Sequence, residues 1–502
     1  MPVPQRLFDA PSVLGAGASG MKPSAALWLC TTILVAGCSG VKPPAGDAPA
    51  AATWNLDCDI GHIEQALDAA WPHACAVRAS HTPGYKQELW LAVNPKDPDN
   101  VVIGAKEVET AASADCVWNA VTYTKDGGRT WHDLNIGGAK YIDRAPTDPW
   151  YGYACNTDPI LQFSANGDVH YGVEVYNAGF QTYDTPLREQ AGSSGLLGWK
   201  ILLATSHDGG ATWPDVITYQ PDLVTVTDYS RMVVSPKTGS ILEAINHLGP
   251  DSCHVLASRD GGQTADPYAV ADPLDGTDPT SVACRVIAAA PDGTVVVGFE
   301  RASDTYWLRS TDDGRTWTDG NAGFPFQPIG GFEENEFRTG TNFEALYDAD
   351  GTLWVVYADG SAGNADVLVR RSTDHARTWS DPVKVNDDNG TNDQFLPNIA
   401  AAADGSLHVL FLDKRWDPAN KLLDATWAVS LDGGATWRNE RVTAKSFDGD
   451  LGRHQSGAPF IGDYLGIDTA GDVVWGTFPD STNGGYTVVA AARMVQAPLA
   501  QT

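Results

Sequence analysis

From about residue 75 onward the hydrophobic positions come in short bursts, such as Val295-Val296-Val297 and Leu353-Trp354-Val355-Val356-Tyr357, with the length and composition of strands. Turn signals separate the bursts. One recurring set lies between pairs of apolar strands: Asn94-Pro95-Lys96-Asp97-Pro98-Asp99-Asn100, Ala165-Asn166-Gly167-Asp168, Pro236-Lys237-Thr238-Gly239, Pro291-Asp292-Gly293, Ala349-Asp350-Gly351, Ala403-Asp404-Gly405 and Thr469-Ala470-Gly471. Each reads as the tip of an inner hairpin, and together they give seven. No long amphipathic helical pattern follows residue 75. One short helix is expected at 60–70, where Ile60, Ile63, Leu67 and Ala70 have helical spacing.

A second pattern follows six of the hairpins. The motif Ser/Thr-x-Asp-x-Gly-x-Thr-Trp stands at 124–131, 206–213, 258–265, 310–317, 372–379 and 430–437, with Ala265 in place of the Trp and Ala376 in place of a Gly. The Asp and Ser/Thr side chains can bond nearby backbone N–H groups, and Gly supplies a backbone conformation closed to residues with a Cβ. Successive motifs start 52 to 82 residues apart, enough for one four-stranded unit with variable loops. The last unit has strands near 464–468, 472–477 and 486–493 but no such motif and no fourth strand. An open sheet edge is a liability, and Cys75-Ala76-Val77-Arg78-Ala79 can supply the missing outer strand. The expected fold is therefore all-β: a β-propeller of seven four-stranded blades, closed by residues near 75–80 pairing beside 486–493. Six blades are the alternative.

The residues before 75 follow a different logic. Met21-Lys22 opens a basic start, residues 25–36 form an apolar run too short to span a bilayer, and Val35-Ala36-Gly37-Cys38-Ser39 resembles a bacterial lipobox. Residues 1–20 lack this logic, so Met21 competes with Met1 as the start. The expected division is 1–38 as an extension with a lipoprotein signal peptide, 39–56 as a flexible tether, 57–74 as a short helical segment and 75–497 as the propeller. The resemblance implies a protein of the bacterial cell envelope, anchored by lipid at Cys38, periplasmic or surface-exposed, and a monomer. Six cysteines remain for disulfides: Cys58, Cys75, Cys116, Cys155, Cys253 and Cys284. Sequence leaves the connectivity open; chain proximity suggests Cys58–Cys75, Cys116–Cys155 and Cys253–Cys284. No cysteine or histidine spacing suits a metal. The acidic loop 386–393 offers hard oxygen ligands for calcium but lacks the spacing of a calcium-binding loop, and a solvated turn is the better reading.

Thirty-three basic against 63 acidic residues give a net charge of −30, which argues against nucleic acid and anionic membrane surfaces as partners. No nucleophile elbow, phosphate loop or dinucleotide fingerprint is present.

The eight-residue repeat resembles the Asp-box (BNR) repeat of sialidases and related propeller proteins, over most of the chain. The resemblance implies an exported glycoside hydrolase acting on terminal, acidic sugars of a glycan. Sialidases clamp the substrate carboxylate with three Arg, attack with a Tyr assisted by a Glu, and use an Asp as acid/base. Their Phe/Tyr-Arg-Ile-Pro motif is missing here, and Arg144-Ala145-Pro146 is only a distant echo. Two alternatives stay open: a non-catalytic propeller lipoprotein binding glycan or protein, and a polysaccharide lyase using His247, His454 or Tyr464 as base.

In a propeller, both repeated turns of a blade lie on one face. The other face carries the long loops 135–157, 180–198, 318–340 and 443–462, which marks it as the working face. The candidates for binding an anion there are Arg144, Arg231, Arg338 and Arg415. The candidates for acid, base or nucleophile are Glu174, Asp413, Asp463 and Tyr464. Lys106, Asp158, Tyr176, Asp228, Glu243 and Glu300 belong to the wider set on that face.

Overall fold

The computed structural model describes residues 75–494 apart from 83, 109–116, 137–149, 151–154, 178–196, 221–225, 249–251, 268, 272–282, 444, 453–458 and 483–486. The expected helix at 60–70, the tether, Cys38, Cys58, Cys116, Arg144 and His454 lie outside these residues.

Seven four-stranded antiparallel sheets stand in a ring, which settles the blade count against six. Their inner strands are Tyr85–Val93, Cys155–Phe163, Val226–Val234, Ala283–Ala289, Phe343–Tyr347, Gln394–Ala401 and Gly466–Ala470, for blades 1 to 7. In blades 1 to 6 strand order follows chain order. In blade 7 the outermost strand is Cys75–Arg78, paired antiparallel with Thr487–Met494 in the register Cys75↔Ala492 to Arg78↔Val489. The N-terminal strand closes the ring as expected.

Both repeated turns are fastened by their own side chains. In the sixth motif Gly434 N donates to Ser430 Oγ (2.9 Å), while Asp432 accepts from Thr436 N (2.9 Å), Thr436 Oγ1 (2.6 Å) and Ser430 Oγ (2.8 Å). Asp126, Asp208, Asp260, Asp312 and Asp374 bond the following Thr in the same way. The Gly of the motif needs positive φ, and where Ala376 replaces it the backbone still sits at φ 63°. The motif Trp then packs inward, as Trp379 does on Trp307 of the preceding blade and Trp131 on Trp475 of blade 7. The hydrophobic core is accordingly divided into layers between blades. One layer joins Val286, Trp307 and Phe324 of blade 4 to Phe343, Val355 and Tyr357 of blade 5.

Two boundaries differ from the sequence reading. Residues Thr318–Pro325, read as the start of a loop, form the outer strand of blade 4; this strand carries mostly polar and small residues and so lacks the hydrophobic signature of a strand. Glu174 and Tyr176, which the sequence places just after the second strand of blade 2, lie within that strand, Val169–Asn177. Cys253 and Cys284 form a disulfide joining blades 3 and 4, and Cys155 is also disulfide-bonded.

The inner strands share one irregularity. Those of blades 1, 2, 3, 4 and 6 shift register near their start. In four of them the bulged residue has positive φ: Glu88, Asp158, Tyr229 and Leu396. Bulges re-aim side chains and break the simple in/out alternation. Here they gather polar groups at the face opposite the turns.

Candidate functional site at the propeller mouth

The starts of the inner strands and the ends of the second strands meet around the channel at this face. Arg231, 3% exposed, forms part of its floor. Its Nη2 donates to Glu344 Oε1 (2.6 Å), its Nε to both Glu344 oxygens (3.0 and 3.2 Å) and its Nη1 to the Ser230 carbonyl (2.8 Å). Its guanidinium also lies 4.0, 4.5 and 4.9 Å from the ring centroids of Tyr229, Tyr464 and Trp90. An arginine so enclosed holds the aromatic wall together, and its Nε and one N–H of each Nη already have acceptors.

Beside it, Lys106 reaches Glu88 at 3.0 Å and Asp158 at 3.8 Å. Burial alone would raise Asp158, yet Lys106, the Thr157 hydroxyl and the Tyr229 N–H hold it below the usual carboxylate range. Glu88 moves the other way: burial pushes it well up, although Lys106 opposes. Glu174 is fully buried, accepts from Thr227 Oγ1 (3.1 Å), and is pushed well up by burial and by Asp158 and Asp228. Arg285 is paired with Glu300 at 2.7 Å, and its guanidinium lies 4.9 Å from the centre of the Tyr229 ring.

Asp228 is the outlier. Its side chain is open to solvent but surrounded by the walls of the mouth. Those walls, with Asp158 and Asp463, push its carboxyl up to about 7 against the pull of Lys106 and Arg338. Arg338, 63% exposed, donates to Asp463 (2.7 Å) and lies 4.5 Å from the centre of the Phe460 ring. Solvent reaches Asp228, Asp463 and Arg338, and in part Arg285 and Glu300, while Glu88, Lys106, Asp158 and Glu174 form a buried layer beneath.

Of the residues singled out from sequence, Glu174, Arg231, Arg338, Asp463 and Tyr464 come together here. Tyr464 is only 2% exposed, packed edge-on to Trp90 and Tyr229, and burial pushes its phenol well above its ordinary value. Asp413 and Arg415 do not join them. Asp413 accepts from Gln394 Nε2 (3.1 Å), Thr426 Oγ1 (3.0 Å) and Arg415 N (2.9 Å) and is ion-paired with the Arg415 guanidinium (2.7 Å), and Arg415 extends to Asp387 (2.6 Å) and Asn439 (2.9 Å). This network pins blade 6 to the loop 386–393, because an Asp at a strand end collects local N–H groups. It also engages the acidic groups of that loop: Asp387 pairs with Arg415, and Asp393 with Lys414. Among the described residues no His, Cys, Asp and Glu group has the arrangement of a metal site.

Glu88, Tyr229, Arg285 and Glu344 were missed because they lie on inner strands, where alternation assigns them to packing. A signal existed. Glu88, Asp158, Tyr229 and Leu396 each stand six residues before the residue that closes their inner hairpin, Asn94, Ser164, Ser235 and Ala402. Aligning the repeats on the hairpin would have put them in one ring.

No family model matches the chain, and no curated protein matches it. Among solved structures it is similar to a protein of unknown function from Dyadobacter fermentans (13% identity, covering 85% of this chain and 99% of that one, TM-score 0.44). It is also similar to a Hadza microbial sialidase (14%, 82% and 66%, TM-score 0.44) and to the leech intramolecular trans-sialidase (15%, 71% and 68%, TM-score 0.46).

Proposed function

We propose that the mouth cleaves a glycosidic bond at the end of a glycan, with Asp228 as proton donor. The observation that carries this reading is the placement of two solvent-reached carboxyls, Asp228 and Asp463, above the buried layer of Glu88, Lys106, Asp158 and Glu174. Asp228, reachable from solvent and pushed up to about 7, is about half protonated at neutral pH, while Asp158 beneath it is held ionised. Asp463, steered by Arg338, is the second carboxylate for activating water or stabilising the positive charge that develops on the sugar. Glu174 holds Thr227 beside Asp228. Tyr464, enclosed in the aromatic wall, supports the site and is not its nucleophile. Arg338 is the exposed cation that can meet the carboxylate of an acidic sugar.

The reading includes export and a lipid anchor at Cys38 in a bacterial envelope, supported by the lipobox-like segment and the Cys253–Cys284 disulfide. A second reading, a glycan-binding propeller without turnover, is favoured by the ion pairing of Arg231, Arg285 and Arg338.

The test is turnover of a panel of aryl glycosides, acidic and neutral, by the full chain and by Asp228→Asn. The expected result is cleavage whose rate falls as pH rises through about 7, and a loss of about 100-fold or more in kcat for Asp228→Asn. Undiminished turnover in Asp228→Asn overturns the assignment. Glycan binding without cleavage by folded protein selects the second reading.

A further inference from the structure

The segment 326–342, between blades 4 and 5, crosses over to blade 6. Glu336 N and Phe337 N donate to Asp450 Oδ1 (2.7 and 3.1 Å), and Asn335 Nδ2 donates to the Lys421 carbonyl (3.1 Å). Phe337 and Phe332 pack on Phe395 at centroid distances of 5.9 and 4.9 Å. Arg338, the next residue along, then reaches Asp463 at the start of blade 7. The segment is a strap that carries Arg338 to the mouth.

Under the strap lies Lys414, with a side chain 0% exposed. Its ammonium is 3.5 Å from the centre of the Phe332 ring and 3.5 Å from Asp393 Oδ2. Asp393 is a shared partner, since it also accepts from Asn420 Nδ2 (2.6 Å) and Ala365 N (2.9 Å). A cation this deeply buried, on a long ion pair, costs free energy while the strap is down. Lifting Phe332 would return it to water.

We propose that residues 326–342 are a lid, that Lys414 is its latch, and that the buried ammonium makes the lid open more freely at neutral than at alkaline pH. The groups facing Lys414 are Asp393, Glu334 on the lid, and Asp450, with Asp417 on the adjoining turn. Burial outweighs these carboxylates and brings the ammonium down to about 8. The sign follows from linkage. A lysine whose closed-state value lies below its open-state value of roughly 10.4 binds more protons when the lid is open, so raising pH from 7 to 9 favours closure. The role given to Arg338 rests on the proposed glycosidase reading; the latch does not.

The experiment is hydrogen–deuterium exchange of the full chain at pH 7 and pH 9, corrected for intrinsic rates. Peptides spanning 329–340 report on the lid, and the strand Leu353–Asp359 is the internal control. Lid opening should fall about tenfold from pH 7 to pH 9, the ratio set by values of about 8 and 10.4. Lys414→Met, which never carries a charge, should hold the lid more closed at pH 7 than the native chain is at pH 9, and should show no pH response. Lys414→Arg, charged throughout, should lose the pH response. Equal opening at both pH values in the native chain, or an unchanged response in Lys414→Arg, overturns the latch, and neither measurement needs a folded Lys414→Met. Exchange requires no substrate, so a chain that cleaves no glycoside leaves the latch standing, and a missing pH response leaves Asp228 untouched.

Discussion

Glu344→Gln is the most direct probe of how the mouth is held. Glu344 (4% exposed) and Arg231 (3% exposed) form a buried pair with three donor contacts of 2.6 to 3.2 Å. The amide keeps the shape but removes the charge, leaving a guanidinium in a desolvated throat. Breaking one partner of a buried pair costs about 3–5 kcal/mol. The three aromatic faces around Arg231 are present in both forms and cancel in the comparison, so about 3–5 kcal/mol is expected. Replacing both partners by apolar residues, Arg231→Met with Glu344→Leu, should recover most of the loss, because neither charge is then stranded. Urea denaturation of Arg231→Met, Glu344→Leu and the double variant gives the coupling, provided the slopes agree. A cost below about 1 kcal/mol for Glu344→Gln, or a double variant as damaged as the sum of the singles, would refute the view of Arg231 as a structural cation.

The pH dependence of stability should be unusual. Asp228 (about 7), Glu243 (about 8), Glu344 (about 6) and Asp468 (about 6) keep protons in the folded state that the unfolded chain releases near pH 4, so stability should fall as pH rises from about 4 to 8. Asp374 and Asp432, held down to about 2, act oppositely and withdraw support only below about pH 4. Thermal melts across pH 4–9 should therefore peak on the acid side, and a maximum at or above pH 7.5 would contradict the assignment. Asp432→Ala removes the acceptor of four turn bonds on the face away from the mouth and should cost about 1–2 kcal/mol, like the loss of a helix cap. Glycan affinity of the folded fraction should stay unchanged, and reduced affinity at native stability would place the turn in the site.

The sequence disclosed the ring more readily than its mouth, and the reason is physical. A turn motif is a local bargain: Ser430, Asp432 and Thr436 satisfy one another within seven residues, so its chemistry is spelled out contiguously. Closure of blade 7 was legible for the same reason, as a missing fourth strand demands a partner. The mouth is assembled from residues far apart in the chain. Arg231 and Glu344 are 113 residues apart, and Arg338 and Asp463 are 125. Periodicity cannot show that such groups converge, and the bulges hide them further by removing Glu88, Asp158 and Tyr229 from strand alternation. Asp413 misled for the converse reason: a carboxylate beside Lys414 and Arg415 at a strand end looks chemical, yet its bonds are spent on its own blade and the neighbouring loop.

The acid strength of Asp228 is accordingly a property of the closed ring. Asp158 is supplied by blade 2, Asp463 by the start of blade 7, Lys106 by blade 1 and Arg338 by the strap between blades 4 and 5. Burial raises Asp228 most, the first two raise it further and the last two lower it, so its value near 7 depends on walls and charges that several blades bring together. The Cys75–Arg78 strand is paired with Thr487–Met494, so it seats blade 7, at whose start Asp463 stands. Loosening that strand should therefore change the titration of the mouth before it unfolds the protein. The lid acts on the same balance: lifting Arg338 removes a cation from Asp228 and frees Asp463, and both changes favour the protonated form. On the proposed glycosidase reading, an open lid leaves Asp228 protonated and a closed lid makes it a stronger acid, which is the order in which a general acid would be used.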